Sequence, residues 1–420
     1  VRAGAHPVEA AEFASLLEAL GPFGPAPHLA VAVSGGADST ALALLADGWA
    51  RHRGGRVTGL IVDHGLRAGS AAEAADACAR LARAGLESEV LILRGLVRGP
   101  ALAARARAAR MEALLAACAE RGLVHLLLAH HAADQAETVL MRERAGSGIF
   151  GLAGMPASRA LGPVRLLRPL LTVPPARLRA LLRARGISWV EDPSNADPAA
   201  ERARVRAARL DRDGTGPATA ALVAAAREAG AARDAGEQGL AAWLAARARL
   251  LPEGYATLAE GAIEPAALGL LLRTVAGAAL PPSAAALARL AAAPRAATLG
   301  GARLIPARRG GWLVARERRA MAPPVPAVPG AEWDGRFRLS RAAMPPAGAT
   351  IGALGAEAAA VLRRASALPA AVLSTLPAIR LGERVVAVPS IGVPDAATCA
   401  RMTMLFRPPN PTACAPFGAA

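Results

Sequence analysis

Three short clusters hold most of the side chains that could do chemistry. The first is Ser34-Gly35-Gly36-Ala37-Asp38-Ser39-Thr40, which follows the apolar run Leu29 to Val33 and precedes an Ala/Leu-rich helical pattern. An apolar run, paired glycines and then a carboxylate with two hydroxyls read as strand, tight turn and helix start. Such a turn offers backbone N–H groups at the positive end of a helix, a natural seat for phosphate or pyrophosphate. A Walker loop is excluded, because it requires lysine and the chain contains none. The dinucleotide fingerprint G-x-G-x-x-G is excluded by the adjacent glycines, and a plain glycine turn is the competing reading. The second cluster is Asp63-His64-Gly65-Leu66-Arg67, and the third is His130-His131 followed by Asp134, Gln135, Glu137 and Thr138. Asp134 shares a helical face with Glu137 and Thr138, three and four residues on. Acids in a first turn also serve as N-terminal caps, so capping competes with catalysis for Asp134 and Glu137. The histidine pair with two acids suggests a metal, but the spacing matches no standard zinc motif.

Positioning these clusters requires a repeating scaffold. Strands are predicted over residues 29–33, 57–62, 88–93 and 123–129, with helices over 40–50, 70–84, 101–121 and from the third cluster to Arg144. Strands recurring about every 30 residues with helices between them are βαβ units, hence a doubly wound parallel sheet covered on both faces. Each cluster directly follows a strand. In such a sheet the carboxyl ends of the strands share one crevice, so the three clusters become one site.

Composition sets the outer bounds. A chain of 420 residues exceeds one ordinary core. No apolar run is long enough to span a bilayer and no signal pattern is present, so a cytoplasmic protein without a membrane partner is expected. The cysteines Cys78, Cys118, Cys399 and Cys414 are scattered without a C-x-x-C, which fits a reducing compartment. The net charge of +16, all of its basic side chains being arginine, favours a polyanionic partner; charge kept for solubility is the alternative. All seven histidines lie within the first 131 residues, which places the titratable chemistry there.

Ser-Gly-Gly-x-Asp-Ser resembles the signature of the PP-loop ATP pyrophosphatases, which cleave ATP between its α and β phosphates. Further motifs narrow this to the tRNA(Ile)-lysidine synthetase branch: His64-Gly65-Leu66, Arg107-Ala-Ala-Arg110, Ala129-His130-His131 with Asp134 to Thr138, Gly146-Ser147-Gly148 through Met155, Arg168-Pro169-Leu170-Leu171, and Trp189-Val-Glu191-Asp192-Pro193-Ser194-Asn195. The resemblance covers about residues 29 to 210. It implies a ligase that adenylates the C2 oxygen of the wobble cytidine in a CAU-anticodon tRNA(Ile) and joins free lysine there, using ATP and Mg²⁺. It further implies catalytic roles for Asp38, Asp134, His130 and Arg202, with Asp38 on the metal. Nucleotide contacts are expected from Ser34, Gly35, Gly36, Ala37, Asp38, Ser39, Asp63 and His64. RNA contacts are expected from Arg107, Arg110, Gly146, Ser147, Gly148, Asn195 and Arg206. A homodimer is allowed. The sequence departs from the family pattern at Ala103, Met111, Ala133, Ala145 and Ala203, which bears on substrate contacts more than on the ATP site.

Beyond the resemblance, Gly214-Thr-Gly-Pro217 marks a first boundary and Pro323 to Pro329 a second. The expected division is a catalytic PP-loop domain over 1–213, a mainly helical tRNA-contacting domain over 214–322 that ends in a hairpin, and a small α+β tRNA-recognition domain over 323–420. Residues 159–210 carry eleven arginines against four acids, and 303–341 nine against three. These stretches read as footprints of phosphate contact, and the scarcity of aromatics favours a folded RNA over a stacked single strand.

Overall fold

The computed structural model describes residues 5–66, 69–96, 99, 101–190, 204–205, 208, 211, 213–364 and 366–413. By its contacts the chain divides into two units between Gly236 and Glu237.

The first unit is built on a six-stranded sheet of order β3-β2-β1-β4-β6-β5. Its strands are β1 (His28–Val33), β2 (Arg56–Asp63), β3 (Glu87–Ile92), β4 (His125–Leu127), β5 (Ser158–Leu161) and β6 (Val164–Leu167). All neighbours pair in parallel except β5, which returns antiparallel to β6. Both faces are covered, so β1 is apolar from Leu29 to Val33 rather than alternating. Leu29, Val31 and Val33 point into one core and Ala30 and Ala32 into the other. The first core is filled from α1 (Ala10–Glu18), α2 (Ala37–His52), α3 (Ser70–Arg83) and α7 (Pro175–Ala184). The second takes Leu114, Ala117 and Cys118 from α4 (Leu102–Glu120).

The β1–β4 boundary is where the strand order reverses, and β1 pairs with both β2 and β4. The loops after β1 and β4 therefore open side by side at the carboxyl edge, with the loop after β2 next to them. The β5–β6 hairpin was not foreseen: the sequence reading weighed this stretch only for its arginines. Four-residue strands give too little alternation to read, and Gly162 (φ +62°) turns the chain between them.

In the second unit, β7 (Ala248–Leu251), β8 (Tyr255–Leu258), β9 (Ala297–Leu299), β10 (Ala302–Pro306) and β11 (Trp312–Arg316) form an antiparallel sheet of order β7-β8-β11-β10-β9. The helix Pro265–Ala276 buries Leu268, Leu271, Leu272 and Val275 against it. The hairpin expected near residues 298–317 is β10–β11, with Leu304 opposite Val314. A second hairpin, β7–β8, occupies residues expected to be helical on either side of a turn at Pro252–Gly254. Their Ala/Leu/Arg content favours helix locally, but Gly254 (φ +81°) turns the chain and β8 is held by β11. Two smaller sheets follow. One has the order β12-β15-β16-β17, formed by Val325–Pro326, Thr350–Ala353, Pro377–Leu381 and Arg384–Ala387. The other has the order β13-β14-β18, formed by Glu332–Trp333, Phe337–Leu339 and Met404–Phe406.

A buried charge cluster ties the second unit together. Asp334, in the tight β13–β14 turn at φ +55°, accepts from Arg316 Nε (3.0 Å) and Nη2 (2.8 Å), from Arg336 Nε (2.8 Å) and from the Ala322 N–H (2.9 Å). Arg336 also donates to the carbonyls of Gly254 (3.2 Å) and Thr375 (3.5 Å), elements far apart in sequence. Burial raises the Asp334 carboxyl pKa, but the Arg316 hydrogen bonds, the Arg336 charge and the Ala322 N–H outweigh it and hold the group below its usual range. Two of the arginines counted as RNA contacts are thus consumed inside the fold, and Arg338 pairs with Glu332. Arg303, Arg308, Arg309, Arg318, Arg319 and Arg341 remain exposed. Among the described residues, no helix is long and apolar enough to cross a membrane.

Removing Asp334 strands two buried guanidinium groups. Asp334→Ala is expected to destabilise the second unit by about 3–5 kcal/mol, read by chemical denaturation. A second expectation concerns His125 in β4, buried against the Phe23 ring at 4.8 Å. Burial first, then Arg165, lowers its pKa from 6.5 to about 4. The unfolded chain takes up that proton at higher pH than the folded one, so this contribution is complete above pH 6.5 and lost as pH falls toward 4. About 3 kcal/mol is at stake, and His125→Leu should flatten stability against pH across that window.

Candidate active site

The loop after β1 is shaped from within. Gly35 adopts φ +80°, and Gly36 begins α2 in an extended conformation with no side chain capping the helix. The first N–H groups of α2 are therefore left for an incoming anion. Ser39 is buried and serves the loop: its Oγ accepts from the Ser34 N–H (3.1 Å) and donates to the Gly36 carbonyl (3.2 Å). Thr40 Oγ1 donates to the same carbonyl at 2.9 Å. Ser34 is exposed, so its hydroxyl is the one an occupant can reach. The Val190 N–H donates to the Gly35 carbonyl (3.1 Å), which brings the end of the Trp189-Val190 segment onto the loop.

Asp38 sits in the first turn of α2. One oxygen, Oδ1, is buried without a hydrogen bond, while Oδ2 lies 3.5 Å from His131 Nε2. His131 caps α5 (Ala132–Arg144) in a reciprocal box with Asp134. His131 Nδ1 accepts from the Asp134 N–H at 3.3 Å, and Asp134 Oδ2 accepts from the His131 N–H at 3.1 Å. Since Nδ1 accepts, the neutral ring carries its proton on Nε2, facing Asp38. Asp38, His131 and Asp134 thus form a chain of groups across the β1–β4 boundary.

The neighbouring His130 is placed differently. Its Nδ1 accepts from Arg168 Nε (3.2 Å), and Arg168 Nη1 donates to the Pro156 carbonyl (2.7 Å). Burial first, then Arg159, lowers the Arg168 pKa to about 10. After β2, Asp63 accepts from the Gly65 N–H at 2.9 Å. The Ser70 hydroxyl first and this N–H second hold its carboxyl below the usual range, so Asp63 shapes its loop. His64 Nδ1 is buried without a hydrogen bond.

The Gly-rich stretch after α5 is clamped. Gln135 binds both backbone groups of Met155, accepting from its N–H (2.8 Å) and donating to its carbonyl (3.1 Å). A Cβ on Gly154 (φ +65°) would lie 2.7 Å from the Gln135 amide, so only glycine allows this approach. Arg142 Nη1 donates to the carbonyls of Gly151 (2.8 Å) and Gly154 (2.5 Å). Gly146, Ser147 and Gly148 lead into this clamped loop, with Gly148 opening the short helix Ile149–Leu152. Of the arginines on α4, Arg107 is exposed and Arg110 half-buried, its pKa lowered by burial first and Arg107 second. Asn195, Arg202 and Arg206, together with Glu191 to Ser194, Glu201 and Ala203, lie outside the described residues.

A PP-loop domain matches residues 9–212. A tRNA(Ile)-lysidine synthase from Hyphomonas neptunium is 41% identical over 293 residues, covering 65% of this chain and 77% of its own length. The chain belongs to the tRNA(Ile)-lysidine synthase family. A synthase of that name from a Methylobacterium species is 41% identical over 68% of this chain and 88% of its own length. Another, from a Bradyrhizobium species, is 42% identical over 57% and 67% respectively.

The fold of the first unit accordingly supplies a PP-loop crevice, whose bridging side chain the sequence reading did not select. His131 was passed over in favour of His130, although a histidine three residues before an aspartate at a helix start fits a capping box. Arg80 on α3 was also missed: its Nη2 reaches to 3.2 Å from where a Cβ on Gly35 would lie, and helical periodicity gives no sign of that. Among the described residues no group of three or more His, Cys, Asp or Glu could hold a metal. The single carboxylate of Asp38, with Oδ1 unpartnered, suits a cation whose other ligands come from phosphate and water.

Two substitutions separate the structural and chemical duties of His131. His131→Asn retains an acceptor for the Asp134 N–H and should melt near the native temperature, whereas His131→Ala loses the cap, about 1 kcal/mol. Both should lower turnover of ATP by about 100-fold, because neither presents the imidazole N–H to Asp38.

Proposed function

We propose that the chain is an ATP-dependent ligase that forms lysidine at the wobble cytidine of a CAU-anticodon tRNA(Ile). The observation that carries the reading is the unpartnered Asp38 Oδ1 beside an uncapped helix start, linked through His131 to Asp134. Family membership supports the substrate, since the relatives bear the name tRNA(Ile)-lysidine synthase.

The chemistry asks two things of the crevice. The C2 oxygen of cytosine is a poor leaving group until it carries AMP, so it must first attack the α-phosphorus of ATP. The bond to the bridging oxygen breaks and pyrophosphate departs with the electron pair. The N–H groups at Gly36 to Asp38 and the Ser34 hydroxyl would receive the negative charge that develops on the departing group. Asp38 Oδ1 is the atom suited to hold Mg²⁺, which when bound offsets phosphate charge. In the second step the ε-amine of free lysine, having lost a proton, attacks C2, and AMP leaves with the former C2 oxygen.

Asp134 is positioned to orient the cytosine or to accept the proton of the incoming ammonium, with His131 fixing its carboxylate. His130, Asp63, His64 and Arg202 are proposed to complete the nucleotide site. Arg107, Arg110, the clamped loop at Gly146–Gly148, Asn195 and Arg206 are proposed to meet the RNA. The exposed arginines of the second unit supply further phosphate contacts. We further propose the division into a catalytic domain over 1–213 and tRNA-binding domains over 214–322 and 323–420. ATP and tRNA as co-substrates place the reaction in the cytoplasm.

Incubation with ATP, Mg²⁺, radiolabelled lysine and a CAU-anticodon transcript should put lysine into the RNA with matching release of AMP and pyrophosphate. Asp134→Asn should reduce lysine incorporation by about 100-fold or more. Full incorporation by that variant would remove Asp134 from the mechanism. Pyrophosphate exchange without lysine transfer would assign the crevice another acceptor.

A further inference from the structure

Buried polar groups without partners are rare in folded proteins, and each calls for an explanation. In the first unit several belong to residues at the carboxyl edge of the sheet or to α3, which packs on the loop after β1. Asp38 Oδ1 and His64 Nδ1 follow β1 and β2, and Arg80 adds two more atoms, Nε and Nη2, both buried and both without a hydrogen bond. Arg80 lies in the last turn of α3, far in sequence from the loop. Its guanidinium nevertheless extends to Gly35, with Nη2 3.2 Å from the Cβ position that glycine leaves empty. Ala77, one turn earlier on the same helix, comes to 3.4 Å of that position, so α3 packs directly on the loop.

We propose that Arg80 is a phosphate-contacting residue that binds the β- and γ-phosphates of ATP and then the departing pyrophosphate. The assignment rests on the reading of this crevice as the ATP site. A lone guanidinium with N–H groups withdrawn from water costs stability unless an anion completes it. The adjoining loop is built to receive an anion and has no lysine to neutralise it. Arginine matches phosphate oxygens through paired N–H groups and keeps its charge at any working pH. During α–β cleavage the charge on the leaving group increases, and a cation fixed beside Gly35 stabilises it without rearrangement. Gly35 then has two duties: it provides the positive-φ turn and leaves room for the guanidinium.

The test measures binding of inorganic pyrophosphate with Mg²⁺, and separately of AMP, to the full chain by calorimetry. Arg80→Met retains the aliphatic stem and removes the charge. It should weaken pyrophosphate binding by about 10–100-fold while leaving AMP binding unchanged and the melting temperature of the free chain no lower than native. Arg80→Lys should recover part of the loss. In steady state Arg80→Met should raise KM for ATP and weaken inhibition by pyrophosphate, with KM for lysine unaltered. The proposal is overturned if Arg80→Met binds pyrophosphate as the native chain does, if it loses AMP and pyrophosphate equally, or if the native chain binds no pyrophosphate. Should Arg80→Met not fold, Arg80→Gln serves in the same measurements. Failure of the native chain to transfer lysine would undo the proposed acceptor chemistry but not the difference between pyrophosphate and AMP.

Discussion

Pairing of β1 on both of its edges is the constraint from which the site follows. Because β1 bonds β2 on one side and β4 on the other, loops separated by about a hundred residues in sequence open next to each other. The strand can occupy this central place only because both its faces are apolar: Leu29, Val31 and Val33 fill one core, Ala30 and Ala32 the other. A polar residue at any of these positions would face a covered surface with no water. The smaller side chains lie on the α4 face and the larger on the α2 face.

On that platform the crevice is assembled from groups that also hold the backbone. Ser39 and Thr40 fasten the loop through the Gly36 carbonyl, and Asp63 shapes the turn that carries His64. His131 and Asp134 form a helix cap and, through the same rings and oxygens, place a proton donor toward Asp38. Structure and chemistry are therefore not separate assignments here. A cap made from a histidine fixes its tautomer, and the tautomer determines which nitrogen faces the neighbouring carboxylate. The same economy holds in the Gly-rich loop, where Gln135 and Arg142 satisfy backbone groups that a loose connector would leave to water.

The arginines illustrate how far composition can mislead. Eleven arginines between residues 159 and 210 look like one basic surface. In the fold, Arg165 donates to the carbonyls of Leu20, Gly21 and Pro22, the half-buried Arg168 donates to His130, and Arg177 pairs with Glu12. In the second unit Arg316 and Arg336 converge on Asp334. A guanidinium with several donors serves carbonyls and carboxylates as readily as phosphates. Counting charges along the chain bounds the attraction for RNA without locating it.

What the sequence determined by itself was local. The strand, paired glycines and helix start at residues 29–50 could be read directly, because turn chemistry and apolar pattern are written in adjacent residues. So could the alternation of strands and helices through residue 144 and the placement of all three clusters at one edge, which follow from period and connection rules. The tertiary structure decided which histidine faces Asp38, that Arg80 reaches Gly35, that β5–β6 extends the sheet, and that the segments on either side of the Pro252–Gly254 turn pair as strands rather than form helices. Each of these depends on a partner distant in sequence. Four-residue strands are stabilised by the edge that receives them, and a side chain's partner is set by the packing of whole elements, neither of which leaves a periodic trace.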